Sequence, residues 1–135
     1  MDKVFVDTNV FLRFFTRDDQ GQHERAERLF LDARGGRIEL ITGPPVFFEL
    51  AWTLRSAYKQ DRETVVDVLE RILSFPGMTV TDETLVIRAL ALARDRGQDF
   101  ADAYVAANAL LSKAQAIATF NQKDFQTLDL PIYPL

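Results

Sequence analysis

Apolar residues recur along the chain in two alternating ways. Short dense runs, KVFV (3–6), IELIT (38–42), MTV (78–80), AIATF (116–120) and PIYPL (131–135), are bounded by turn-forming or helix-capping residues and read as strands. Between them lie longer segments with apolar positions at helical spacing. VFLRFFT has them at 10, 11, 14 and 15, and QGQHERAERLFLDARGG follows, ending in Gly35 and Gly36. After Gly43, Pro44 and Pro45, which suit a helix start, come VFFELAWTLRSAYK and then DRETVVDVLERILSF, the latter stopped by Pro76 and Gly77. Asp82 is placed to cap DETLVIRALALARDR, Gly97 to end it, and FADAYVAANALLSK gives one more helix. Strands alternating with helices predict an α/β fold: three α/β/α layers around a central parallel sheet of four to five strands. No repeat, low-complexity tract or linker interrupts the pattern, so residues 1–135 read as one domain.

The polar residues that break this pattern fall at the strand ends. In parallel α/β sheets ligands bind at the carboxyl ends of strands, where loops converge. Asp7, Thr8 and Asn9 follow KVFV; Glu49 lies in the helix after IELIT; Asp99 and Asp102 flank a helix start; Asn121 and Asp124 follow AIATF. An acid ending a buried strand should be partly desolvated, and an isolated carboxylate there costs several kcal/mol or protonates. Glu49 in PPVFFELAW and Asp102 in DFADAYVAA have apolar sequence neighbours, a setting unusual for a solvated acid. Asp99 and Asp102, three apart, share one side of a first helical turn. Capping alone accounts for Asp7, Asp61 or Asp99 taken singly. It does not account for Glu49 and Asp102.

Composition narrows what such acids can do. The chain has no cysteine and one histidine, so a metal would have to be held by oxygen. Carboxylates gathered without His or Cys suit a hard cation such as Mg2+ or Mn2+, which lowers the pKa of bound water and stabilises displacement at phosphorus. The net charge of −4, from 16 basic and 20 acidic residues, argues against a simple polyanion binder, although bound cations would reverse the local field. The N-terminus lacks a signal-peptide pattern and no apolar run approaches the ~18 residues of a membrane span. A cytoplasmic protein without membrane contact is expected.

VFVDTNVFLRFF, GPPVFFELAWTL, DFADAYVAANA and ATFNQKDF, in that order and over nearly the whole chain, resemble the PIN-domain ribonucleases, and among them the VapC-type toxins of bacterial toxin–antitoxin pairs. The resemblance implies an acidic quartet on Asp7, Glu49, Asp102 and a fourth position in NQKDF, with Asp124 favoured and Asn121 the alternative. It implies Asp99 as an additional metal-site acid, and Thr8, Asn9, Thr119 and Asn121 as residues that orient the acids. The activity it implies is Mg2+- or Mn2+-dependent endonucleolytic cleavage of RNA (tRNA, rRNA or mRNA), leaving a 5′-phosphate and a 3′-hydroxyl. A homodimer and inhibition by a VapB-like antitoxin within a larger complex are implied as well.

Other readings compete. A non-catalytic PIN-like module that binds RNA or protein would not need to keep these acids together. An Asp-dependent phosphohydrolase usually has a second acid two residues after the first, where this chain has Asn9. Among Arg13, Arg17, Arg25 and Arg28, solvated helix faces are the ordinary reading; Arg13 and Arg17, nearest the Asp7 loop, are the candidates for RNA or antitoxin contact. Phe11, Phe14, Phe15, Phe47 and Trp52 read as core at helical spacing, with a minority exposed and available to an antitoxin groove. His23, in the polar stretch QHERAER, reads as a surface residue without a catalytic role.

Overall fold

A computed structural model describes residues 2–126 and 130–135. The chain forms two compact units, Met1–Glu83 and Thr84–Leu135.

In the first unit, β1 (Asp2–Phe5), β2 (Ile38–Thr42) and β3 (Met78–Val80) form a parallel sheet in the order β1-β2-β3. Val4 pairs with Leu40, and Thr42 with Val80. Each crossover is a helix pair: α1 (Thr8–Thr16) and α2 (Gln20–Arg34) return to β2, while α3 (Pro44–Ser56) and α4 (Arg62–Leu73) return to β3. Parallel neighbours require crossovers of this kind, since a hairpin cannot reverse the chain twice. Phe11, Leu40, Phe47, Leu50, Leu54, Leu69 and Ile72 are completely buried. Beside them, Phe30 packs within 5.0 Å of Phe14 and 4.9 Å of Phe75, centroid to centroid, and the Arg71 guanidinium lies 4.9 Å above Phe15. Of the five aromatics in question, only Trp52 is exposed (70%), so the core reading holds for the other four.

Local chemistry accounts for the helix ends. Asp19 accepts from the Gln22 amide at 3.0 Å and Asp61 from the Thr64 amide at 2.8 Å, each filling one orphan donor of a first turn. The Thr64 hydrogen bonds hold the Asp61 carboxyl below the usual carboxylate range. Gly77 (φ 76) precedes β3, and a Cβ there would lie 2.6 Å from the Ala33 carbonyl oxygen, so both backbone angle and space demand glycine.

The second unit contains α5 (Glu83–Arg96, whose first residue closes the first unit), α6 (Phe100–Leu111) and the short α7 (Gln122–Phe125). Gly97 (φ 64) ends α5 as expected, with the Gln98 amide returning to the Ala93 carbonyl. Ala106, Phe125 and Leu130 form a small core, packed by Leu92, Ala109 and Ile117.

The α/β class and parallel sheet are as expected, with three differences. AIATF and PIYPL do not form strands four and five; they meet at one parallel bridge, Ile117 with Ile132. Alanines on one side and prolines flanking Ile132 on the other leave little to extend a ladder. β1 is not a buried strand: at the edge of the three-stranded sheet it leaves Phe5 58% exposed, and burial begins at Val6. Asp82 stands at φ 50, a left-handed conformation, rather than the extended one typical of an N-cap. Among the described residues no helix is long and apolar enough to cross a membrane.

Candidate active site

Four of the five candidate acids lie at or within the first turn of a helix. Asp7 is the N-cap residue of α1, in extended conformation, and its Oδ1 accepts from the Thr8 amide at 2.8 Å. Its position is fixed from below: Val6 donates its amide to Ile41, and the Val6 carbonyl accepts from the fully buried Thr42 hydroxyl at 3.1 Å. Thr8 is buried and Asn9 exposed. Asp99 is the N-cap residue of α6 and makes no capping bond to that helix; Asp102 sits in its first turn. Asp99 and Asp102 are therefore brought to one helix start. Asn121 precedes α7, its amide donating to the Thr119 hydroxyl at 2.9 Å, and Asp124 lies in that helix. The Gln98 side-chain amide donates to the Asp124 carbonyl, tying the turn that bears Asp124 to the loop just before Asp99.

Glu49 lies mid-helix in α3. It is exposed, with Trp52 one turn further on, while Phe47, Leu50 and Ala51 turn inward. Asp7 is also exposed, and Asp102 is half-buried between the buried Phe100, Ala103 and Tyr104. The expected desolvation is thus corrected for Asp7 and Glu49, while Asp102 keeps part of it. Helical periodicity sends adjacent residues to different faces, so apolar sequence neighbours do not make an apolar setting.

The donor chemistry fits a hard divalent cation. Every candidate ligand is a carboxylate, and the histidine is engaged elsewhere. Among the described residues, no three or more Asp, Glu, His or Cys side chains gather into a metal-holding group. His23, expected at the surface, is 4% exposed: its Nδ1 lies 3.1 Å from the Arg13 carbonyl and its ring stacks on Phe14 with centroids 5.6 Å apart. The polarity of its sequence neighbours hid the one inward face of α2 at that turn.

Arg13 and Arg17 differ. Arg17 is exposed at the left-handed end of α1 (φ 56). Arg13 is half-buried and held, its Nε donating to Gln22 Oε1 at 2.7 Å and its Nη1 to Asp18 at 3.1 Å. Asp18 also accepts from the Tyr58 hydroxyl at 2.6 Å and lies 2.9 Å from the Thr16 hydroxyl. These bonds, Tyr58's foremost, hold the Asp18 carboxyl below the usual carboxylate range. Thr42, Gln98 and Asp18 position backbone or side chains near the candidate residues, and no motif marks them. Only Thr42, a polar residue closing an apolar strand, carries a local signal.

A search of curated proteins finds no match. The family model for the PIN domain matches residues 4–130, a span that takes in Asp7, Glu49, Asp99, Asp102 and Asp124. With its parallel α/β architecture and its acids at helix starts, the chain belongs to the PIN-domain family, whose fold is that of nucleases.

Proposed function

We propose that this protein is a metal-dependent endoribonuclease and the toxin of a toxin–antitoxin pair, of the VapC type. The observation that carries this reading is the set of acids, Asp7, Glu49, Asp99, Asp102 and Asp124, that fall within a PIN-domain match extending over residues 4–130. All five are carboxylates, the ligand type a hard divalent cation takes.

In this reading Asp7, Glu49, Asp102 and Asp124 hold Mg2+ or Mn2+ with Asp99 assisting, and Asn121 is the alternative to Asp124. The bound cation supplies a water of lowered pKa and charge stabilisation at the scissile phosphate. The chain's own residues do the positioning. Thr42 fixes the carbonyl before Asp7, the Thr8 amide orients the Asp7 carboxylate, and the Thr119 hydroxyl receives the Asn121 amide. Asn9 is assigned to hold the acids' orientation through hydrogen bonds. The partners are RNA, a second copy of the chain and a VapB-like antitoxin, in the cytoplasm.

Calorimetric titration with Mn2+, together with incubation of the purified chain with total RNA, tests the proposal. Binding and the appearance of new 5′-phosphate ends, both lost on chelation, are expected. Absence of both would favour a non-catalytic binding module, a reading to which the dispersed acids of the described residues lend their weight.

A further inference from the structure

Between α1 and α2 the first unit contains a cleft of about 420 Å³, within the size range of small-ligand sites. Asn9 and Arg13 line it from α1, Gln22 and Arg25 from α2, and the half-buried Val10 and Leu29 give it an apolar surface. Arg13 is held in place by Gln22 at Nε and by the Asp18 carboxylate at Nη1, which offsets part of its charge and leaves Nη2 for a ligand, so Arg25 supplies the uncompensated charge. Arg25 is exposed and, among the described residues, makes no hydrogen bond or ion pair. Two guanidiniums facing one cleft stand out in a chain of net charge −4.

We propose that this cleft takes one nucleotide of a single-stranded RNA, its phosphate on Arg25 and Arg13 and its sugar or base against Val10 and Leu29. The inference rests on the ribonuclease reading and adds a substrate subsite to it. Arginine forks match phosphate oxygens. The Gln22 side-chain amide, whose oxygen already accepts from Arg13, keeps its N–H donors for an acceptor on a base edge. Asn9 is two residues from Asp7, so a strand held here runs past the start of α1. Arg25 thus takes the role that sequence position gave to Arg17.

The test is binding of a short fluorescent single-stranded RNA of mixed sequence to the full chain carrying Asp7→Asn, so that affinity is read without cleavage. Adding Arg25→Gln should weaken binding about tenfold, the loss of one charge-assisted contact, and make the salt dependence shallower by about 0.7 in log–log slope. Arg25→Lys should recover part of the loss. Arg28→Gln, on the same helix and outside the cleft, should change affinity less than about twofold. Equal effects of Arg25→Gln and Arg28→Gln would overturn the proposal. So would a loss confined to a polyglutamate peptide with RNA binding intact, which would assign the cleft to a protein partner. A chain that binds RNA through Arg25 yet never cuts it would sink the nuclease reading alone, whereas cutting indifferent to Arg25 would sink the subsite alone.

Discussion

The two units of this chain reach order by different means. The first has a three-stranded parallel sheet, two helix-pair crossovers, an extended aromatic cluster and a buried hydroxyl bonded to a strand-end carbonyl. Among its described residues the second relies on three helices, one isolated bridge and a small core around Ala106, Phe125 and Leu130. Yet candidate acids occur in both, Asp7 and Glu49 in one, Asp99, Asp102 and Asp124 in the other. The candidate acids are therefore not confined to the unit with the more extensive core.

The largest effect that can break this comparison is on catalysis. Asp7→Asn and Asp102→Asn should each lower Mn2+-dependent RNA cleavage by about a hundredfold or more, with circular dichroism unchanged. A large loss from only one of them would confine the chemistry to a single unit.

Next come changes to the framework. Gly77→Ala should destabilise the first unit by about 3 kcal/mol, because the new methyl meets the Ala33 carbonyl in a left-handed turn. Phe125→Ala should cost the second unit about 3 kcal/mol. Hydrogen exchange followed by mass spectrometry separates the two. Gly77→Ala should expose amides of β2 and β3 first, and Phe125→Ala those of α6. If either variant loosened both sets equally, the division into two units would not describe their stability.

A smaller effect is expected at Thr42. Removing its hydroxyl in Thr42→Val leaves the Val6 carbonyl short of a buried partner, at about 1–2 kcal/mol in urea unfolding. Smallest is Tyr58→Phe, which should raise the Asp18 pKa back toward its ordinary 3.8, measured by carbon-detected NMR titration. Because the folded value is depressed, the stabilisation it represents is complete above the unfolded pKa and disappears as pH falls through the folded one. The variant should therefore be slightly less stable than the parent at neutral pH, and the difference should close as pH falls through the folded value.

The chain's pattern made much of this legible. IELIT and MTV correspond residue for residue to β2 and β3, and six helices lie where apolar spacing puts them, because their periods are strong and their ends carry Gly, Pro or Asp. What failed was environment. His23 is buried despite polar neighbours, and Glu49 is exposed despite apolar ones. In both, the face a residue takes depends on its angle around the helix and on what packs there, which a run of neighbours does not encode. AIATF reads as a strand because a short apolar run specifies no partner, and four residues of α7 are too few to leave a period.

The bond from Gln98 to the carbonyl of Asp124 has a consequence for how this protein changes over evolutionary time. The anchor grips the main chain, which every amino acid shares. Position 124 can thus be rewritten without unfastening the turn that presents it, and scaffold and reagent become separate variables there. A lineage, or an engineer, can trial a different functional group at this corner while the geometry beneath it is inherited unchanged.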